Sequence, residues 1–228
     1  MDEKHYMMVV DTETANTLID EDGKLDMSNV LVYDCGWCVL DTDGEIYIER
    51  SFVNADIFLD EQTLMEEAYY ASKIPQYWEE IKNGSRILAN TYTIRKIMIE
   101  DMRVYGITEV VAHNARFDYN ALNMTQRWTT KSKWRYWFPY GTEILDTMKM
   151  ARDVIYNMPA YREFCEANGF LTSTGKLSLT AENLYRFISN DLEFEESHTG
   201  LEDVQIEREI LLYCLRSGQP MRMRLWGE

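Results

Sequence analysis

Residues 6–11, Tyr-Met-Met-Val-Val-Asp, restrict this chain more than any other stretch. The run is apolar without alternation and bounded by polar residues, the pattern of a short strand covered on both faces. Such a strand needs a layer above and a layer below it. The run ends in a carboxylate, Asp11, and a second follows at Glu13. Side chains two apart on a strand point to the same face, so the pair can share a metal site. In a chain with 39 acidic residues the same pair also arises by chance at a solvated strand end. Its place at the end of a central strand, where sheet-based active sites collect, favours the functional reading.

The rest of the chain supplies the covering layers. Residues 30–40 and 45–53 are β-rich and joined by Asp41-Thr42-Asp43-Gly44, which is hairpin chemistry. Three strands therefore open the domain, the second antiparallel to its neighbours. After Asp60 the periodicity predicts helices over 61–71, 75–82 and 93–105, the last with Ile94, Ile97, Met98, Met102 and Tyr105 at helical spacing before Gly106. Val110-Val111-Ala112 predicts a fourth strand, a helix follows from Ala115, and 143–145 predicts a fifth strand. Helices are expected at 147–156, 161–167, 180–188 and 200–216. This order defines an α/β sheet with helices on its faces. No repeat or linker divides the chain, and 228 residues with 46% hydrophobic content fit one domain, 1–228. A chain of this length buries about 70% of its unfolded surface. Residues 20–26 approach a calcium loop but lack its acidic spacing and distal Glu, and are read as a solvated loop.

Two further segments carry chemistry. His113-Asn114-Ala115-Arg116-Phe117-Asp118 follows the fourth strand directly. Asn114 has the chemistry of an N-cap, which would set Asp118 one turn into the helix and near the strand ends. The competing reading is a capped helix with an ordinary exposed Asp. In His198-Thr199-Gly200-Leu201-Glu202-Asp203, Thr199 and Glu202 have capping-box spacing. That spacing puts His198 before the cap and Asp203 at the fourth helical residue, two positions that a helix start brings together. A lone His before a helix is ordinarily structural or solvated. Its pairing with Asp203 and the other two segments argues for catalysis.

Taken together, Asp-x-Glu at 11 and 13, His-Asn-Ala-x-Phe-Asp at 113–118 and His-x4-Asp at 198–203 resemble the DEDDh, or DnaQ-like, exonucleases in residue type and order. That family includes proofreading subunits of bacterial replicases, oligoribonucleases and RNA-trimming enzymes. Asp146-Thr147, after the fifth strand, is also similar to the family. The resemblance implies a ribonuclease-H-like fold with a five-stranded mixed sheet, an antiparallel second strand and helices on both faces. It implies one exonuclease domain that hydrolyses phosphodiester bonds at 3′ ends and releases 5′-mononucleotides. Asp11, Glu13, Asp118 and Asp203 would hold two divalent cations about 3.5 to 4 Å apart, with Asp11 bridging them. Hard carboxylate ligands suit Mg2+ or Mn2+. His198 would be the general base, since an unperturbed pKa of about 6.5 lets it accept a proton near neutral pH. Thr12, Thr14 and Asn114 are expected at the substrate. Thr14-Ala15-Asn16 departs from the Thr-Gly that often follows Asp-x-Glu, where the terminal nucleotide usually lies.

The charge balance limits how nucleic acid could be held. A net charge of −16, or −12 with two divalent cations bound, excludes blanket phosphate neutralisation, so contact must be local. Between Gln126 and Tyr140, Arg127, Trp128, Lys131, Lys133, Trp134, Arg135, Tyr136, Trp137 and Phe138 interleave basic and aromatic side chains. Lys131, Lys133 and Arg135 are candidates to hold a single strand while the aromatics stack on its bases. The same pattern equally fits aromatics in the core with their charged neighbours in water. The expected substrate is the 3′ end of single-stranded DNA, in proofreading or repair. RNA on the same scaffold is the nearest rival, and a non-catalytic nucleic-acid- or polymerase-binding subunit is the rival from another class. A polymerase partner is compatible with the family, although the short stretch after Arg216 favours a free-standing enzyme.

Cys35-Gly36-Trp37-Cys38 superficially resembles a redox pair, yet residues three apart on a regular strand face opposite sides. Cys165 and Cys214 are expected in the core. Four irregularly spaced cysteines suit a reducing compartment. With no apolar leader after Met1 and no apolar run near 18 residues, a cytoplasmic protein without a membrane span is expected.

Overall fold

A computed structural model describes residues 4–15, 30–130 and 133–227. The loop expected at 20–26, Asn16 and Lys131 lie outside the described residues. Strand β1 (Tyr6–Ala15) continues the apolar run through Asp11 and Glu13. It pairs antiparallel with β2 (Leu31–Asp41), and β2 pairs antiparallel with β3 (Ile46–Asn54). A short β4 (Ile87–Ala89) adds parallel to β3, while β5 (Glu109–Ala112) and β6 (Glu143–Asp146) extend the parallel side beyond β1. The order is β4-β3-β2-β1-β5-β6. The mixed α/β class and the antiparallel second strand agree with the expectation; the count of five strands does not, because β4 adds a sixth. Three residues at a sheet edge, with Ile87 exposed, leave no periodic signal to read.

Both faces of the sheet are covered, as the unalternated apolar run requires. The odd residues Met7 and Val9 pack with Val111 and Leu145 against α6 (Thr147–Val154), α7 (Pro159–Asn168), α8 (Ala181–Ser189) and α9 (Gly200–Arg216). The even residues Met8 and Val10 pack with Trp37 and Phe52 against α4 (Thr91–Tyr105) and α5 (Arg116–Thr129). A third cluster gathers Leu31, Tyr33 and Val53 with α1 (Ala55–Phe58), α2 (Gln62–Glu66) and α3 (Ile74–Asn83). Cys35 and Cys38 fall in different clusters, on opposite sides of the sheet, and both are free thiols. Among the described residues, no helix is long and apolar enough to cross a membrane.

One close approach sets where the last helix lies. A Cβ on Gly36 of β2 would stand 2.3 Å from the Leu201 nitrogen and 2.4 Å from the Gly200 carbonyl carbon. A Cβ on Gly200 would meet the Gly36 nitrogen at 2.7 Å. With glycine on both sides, the first turn of α9 rests on the backbone of the sheet beside Asp11. Asp34, buried in the middle of β2, fixes the same turn from below: its carboxylate accepts the Gly200 backbone N–H at 2.9 Å, the Tyr77 hydroxyl at 2.7 Å and Arg86 Nη1 at 2.9 Å on both oxygens. The helix expected over 61–71 is divided instead into α2, a turn and a 3-10 segment, Ala71–Lys73. The break brings Tyr70 out against the residues that precede α9.

Candidate active site

A cleft of about 490 Å³ opens at the carboxyl end of β1, lined among others by Asp11, Glu13, His198, Asp203, Glu196 and Glu207. Asp11 and Glu13 share the face of β1 that looks toward α9. Glu13, His198 and Asp203 each offer a ligand atom, and these atoms lie within 4.8 Å of one another. Two segments far apart in sequence thus meet at one point. Asp118 stands behind them: it is buried on the first turn of α5 and accepts the Thr12 hydroxyl at 2.8 Å. Thr12 points away from Asp11 and Glu13, as strand alternation demands, so its hydroxyl holds Asp118 rather than facing the cleft. Thr14 and Asn114 line the cleft.

Local structure explains the placement and corrects two details of the expected caps. Asn114 does not cap α5. Its backbone is left-handed at φ 57°, a conformation Asn tolerates, and the position before the helix falls to Ala115, which makes no side-chain cap. Asp118 keeps its first-turn position all the same. At α9, Thr199 is the N-cap, but its hydroxyl donates to Glu202 at 2.7 Å rather than accepting a backbone N–H. Glu202 is drawn to Arg86 at 2.8 Å, and the Asp34 carboxylate takes the helix N–H in place of Thr199. His198 and Asp203 come together as the helix-start geometry predicts.

The setting of His198 was not legible in the sequence. Its backbone is left-handed at φ 49°, and its ring stacks on Tyr70 with centroids 4.5 Å apart and planes 16° from parallel. Lys73 donates to the Ser197 and His198 carbonyls, and Glu196 stands 3.7 Å from His198 Nδ1. Partial burial, then the Lys73 charge, lower the His198 pKa from 6.5. The imidazole is therefore neutral and able to accept a proton at neutral pH. His113 has a different role. Its Nε2 donates to the Leu179 carbonyl at 2.7 Å and its Nδ1 meets the Thr147 hydroxyl at 2.9 Å, so both ring nitrogens are engaged in holding β5 to α6 and α8. Asp146 caps α6 through the Met148 N–H at 3.0 Å and also receives the Asn114 N–H at 3.2 Å.

The carboxylates repel one another in a poorly solvated place. Burial, then Asp203 and Asp34, push Glu13 up to about 9. Burial, then Glu196, raise Asp203 to about 8. Asp118 rises to about 7 by burial, opposed by the Thr12 hydroxyl. Asp11 is held well above its usual value by burial, then by Glu207 and Asp118. Asp11 Oδ2 and Glu207 Oε2 are buried with no hydrogen-bond partner. Buried carboxylates of this kind need a compensating cation or proton. Oxygen donors of one sign, two of them unpartnered, fit a hard divalent cation such as Mg2+ or Mn2+.

Glu207, Tyr70, Lys73 and Glu196 escaped the sequence reading. Only Glu207 carried a signal, its spacing of four from Asp203 on one helix. Lys133 and Arg135 are exposed and lie outside the cleft lining. In the same segment Trp134 and Tyr136 are exposed while Trp137 and Phe138 are buried, so part of the stretch packs into the core.

This arrangement of sheet, flanking helices and cleft is the ribonuclease-H-like fold of the DEDDh 3′-exonucleases. Among solved structures it is similar to a full-length 3′-exonuclease, with TM-score 0.60 and 12% identity over 96% of this chain and 84% of that one. It is similar to the nuclease domain of 3′hExo, a DEDDh family member bound to rAMP, with TM-score 0.58 and 12% identity over 97% of both chains. The E. coli ExoI–ssDNA complex in its zinc-bound form gives TM-score 0.54 and 15% identity over 96% of this chain and 42% of that one. No protein-family model and no curated protein sequence matches the chain.

Proposed function

We propose that residues 1–228 act as a single exonuclease domain that removes 5′-mononucleotides from the 3′ end of a single strand in a metal-dependent reaction. The observation that carries this reading is the meeting of Glu13 with His198 and Asp203, from two distant segments, in one cleft with the buried, unpartnered Asp11 Oδ2. Asp11, Glu13, Asp118 and Asp203 would hold the cations, with Asp118 set in place by Thr12. Two bound divalent cations supply an activated water and stabilise the leaving 3′ oxygen. His198, neutral and fixed by Tyr70 and Lys73, takes the proton of the attacking water. Thr14 and Asn114 flank the place where the terminal nucleotide would enter.

Single-stranded DNA is the substrate we propose, and RNA stands beside it because similar folds carry ssDNA in one case and rAMP in another. The test is to incubate end-labelled DNA and RNA oligonucleotides with Mg2+ or Mn2+, next to an Asp11→Ala control. Stepwise 3′ shortening of one or both in the parent protein and none in the variant is the expected result. Release that survives Asp11→Ala would sink the site, and no cation-dependent release from either polymer would favour a non-catalytic binding protein.

A further inference from the structure

One carboxylate in the cleft has no part in the motifs or in the reaction above. Glu207 lies one helical turn beyond Asp203 on α9, so the two side chains share a face of that helix. It is only 3% exposed, and its neighbours Val204, Ile206, Ile210 and Leu211 are all apolar and buried in the core. The backbone N–H of His113, at the turn that follows β5, favours the charged form of Glu207. Its Oε2 is buried in the cleft wall without a partner, as is Asp11 Oδ2. The charges that act most on Glu207 are those of Asp118, Asp203 and Glu196, all negative. Glu207 is in turn the charge that acts most on Asp11. An ionised side chain in such a place is strongly destabilising unless a cation compensates it.

Building on the two-cation reading, we propose that Glu207 is a fifth carboxylate of the cation site, presenting Oε2 alongside Asp11. Asp203 and Glu207 then approach the site from successive turns of one helix, and the position of α9 on the sheet sets both at once. The extra carboxylate favours a divalent cation over a monovalent one and strengthens its retention. It acts together with the Asp-x-Glu strand rather than in place of it.

The test compares the parent protein with Glu207→Gln, Glu207→Asp and Asp203→Asn, using Mn2+ alone, without substrate. Calorimetric titration reports affinity and stoichiometry, thermal melting with and without Mn2+ reports linkage, and circular dichroism confirms the fold. Glu207→Gln keeps an acceptor for His113 but removes the charge. We expect it to bind Mn2+ at least ~10-fold more weakly, the scale seen when groups supporting a metal site are lost. Its Mn2+-induced rise in Tm should be smaller than that of the parent. Glu207→Asp, charged but shorter, should fall between the two. Mn2+ affinity within twofold of the parent in both Glu207 variants would overturn the proposal and leave Glu207 as a protonated acid that anchors His113. If the parent itself takes up no Mn2+ and Asp203→Asn melts with the same insensitivity to it, the two-cation reading fails as well, so the two failures are distinguishable.

Discussion

At the scale of single residues, chemistry here depends on groups whose proton affinities are displaced in opposite directions. Burial and Lys73 lower His198 from 6.5, so with saturating Mn2+ the acid limb of kcat should have its midpoint below that value. On the proposed reading, activity should fall as pH drops because a protonated His198 could no longer accept a proton. His198→Ala should reduce kcat by ~10²- to 10⁴-fold, the usual contribution of a positioned base, while Mn2+ affinity changes little. A limb centred above pH 7, or a variant with unaltered kcat, would remove His198 from that role. The carboxylates are displaced upward, and the consequence is for stability. Asp118, Asp203 and Glu13 move from 3.8, 3.8 and 4.5 to about 7, 8 and 9 in the folded, metal-free protein. The fold then binds more protons than the unfolded chain, so the stability tied to these groups is fully present below the unfolded values of 3.8 to 4.5 and is lost progressively as pH rises from there to about 9, most steeply below 7 where all three contribute. The metal-free Tm should decline over that interval, and added Mn2+ should raise it most at the alkaline end. Melting curves that are flat from pH 5 to 9 without metal would contradict the crowding of these carboxylates.

At the scale of elements, α9 is the part that assembles the site. Its N-terminal turn carries Asp203, with Glu207 one turn further on, follows His198, and lies flat on β2 only because Gly36 and Gly200 have no side chains. Gly36→Ala would drive a methyl group into backbone, where relief requires the helix itself to move. The expected cost is at least ~3 kcal/mol, the upper end for overpacking, with a parallel loss of Mn2+ affinity, measured by urea unfolding and calorimetry. Unchanged cation binding in a destabilised variant would show that α9 can shift without disturbing Asp203. The Asp34–Arg86 pair beneath the same turn works in the same sense. Arg86 Nη1 reaches both Asp34 oxygens at 2.9 Å and also the Ser51 hydroxyl at 2.8 Å, with both charged groups almost wholly buried. Removing the guanidinium leaves Asp34 an unpaired buried charge, and Arg86→Ala should cost ~3–5 kcal/mol in the same unfolding measurement.

At the scale of the whole molecule, an acidic protein must bind a polyanion through a few local contacts. The cleft would offer cations held by its carboxylates, and elsewhere in the chain Lys133 and Arg135 alternate with exposed Trp134 and Tyr136. Tyr119, Tyr140 and Trp226 add exposed or partly exposed rings around the same hollow as Trp134 and Tyr136. Reversing both charges, Lys133→Glu with Arg135→Glu, should weaken binding of a phosphorothioate single strand and reduce its salt slope by roughly one per lost phosphate contact. Equal affinity and equal slope in the parent and the double variant would mean that the surface is solvated and does not contact the strand.

What could be read from the chain alone was whatever local pattern determines. The unalternated run of β1 demands cover on both faces, the turn at 41–44 makes a hairpin, and Thr199 before Gly200 marks the start of α9, which already sets His198 beside Asp203. Each depends on residues within a few positions of one another, where strand and helix periods apply. Asp11, Glu13 and Asp118 were legible as candidates through their order and spacing, yet nothing local says that Thr12 ties Asp118 down from the opposite face of β1. Tertiary structure alone decided the rest. Tyr70 meets His198, Asp34 meets Arg86 and the first turn of α9, Gly36 meets Gly200, and Glu207 lies buried against His113. These partners are separated by tens to more than a hundred residues, so no period or cap rule connects them. They come together because segments far apart in sequence meet near the carboxyl end of β1 and the first turns of α9, a meeting that only the packing of the whole sheet determines.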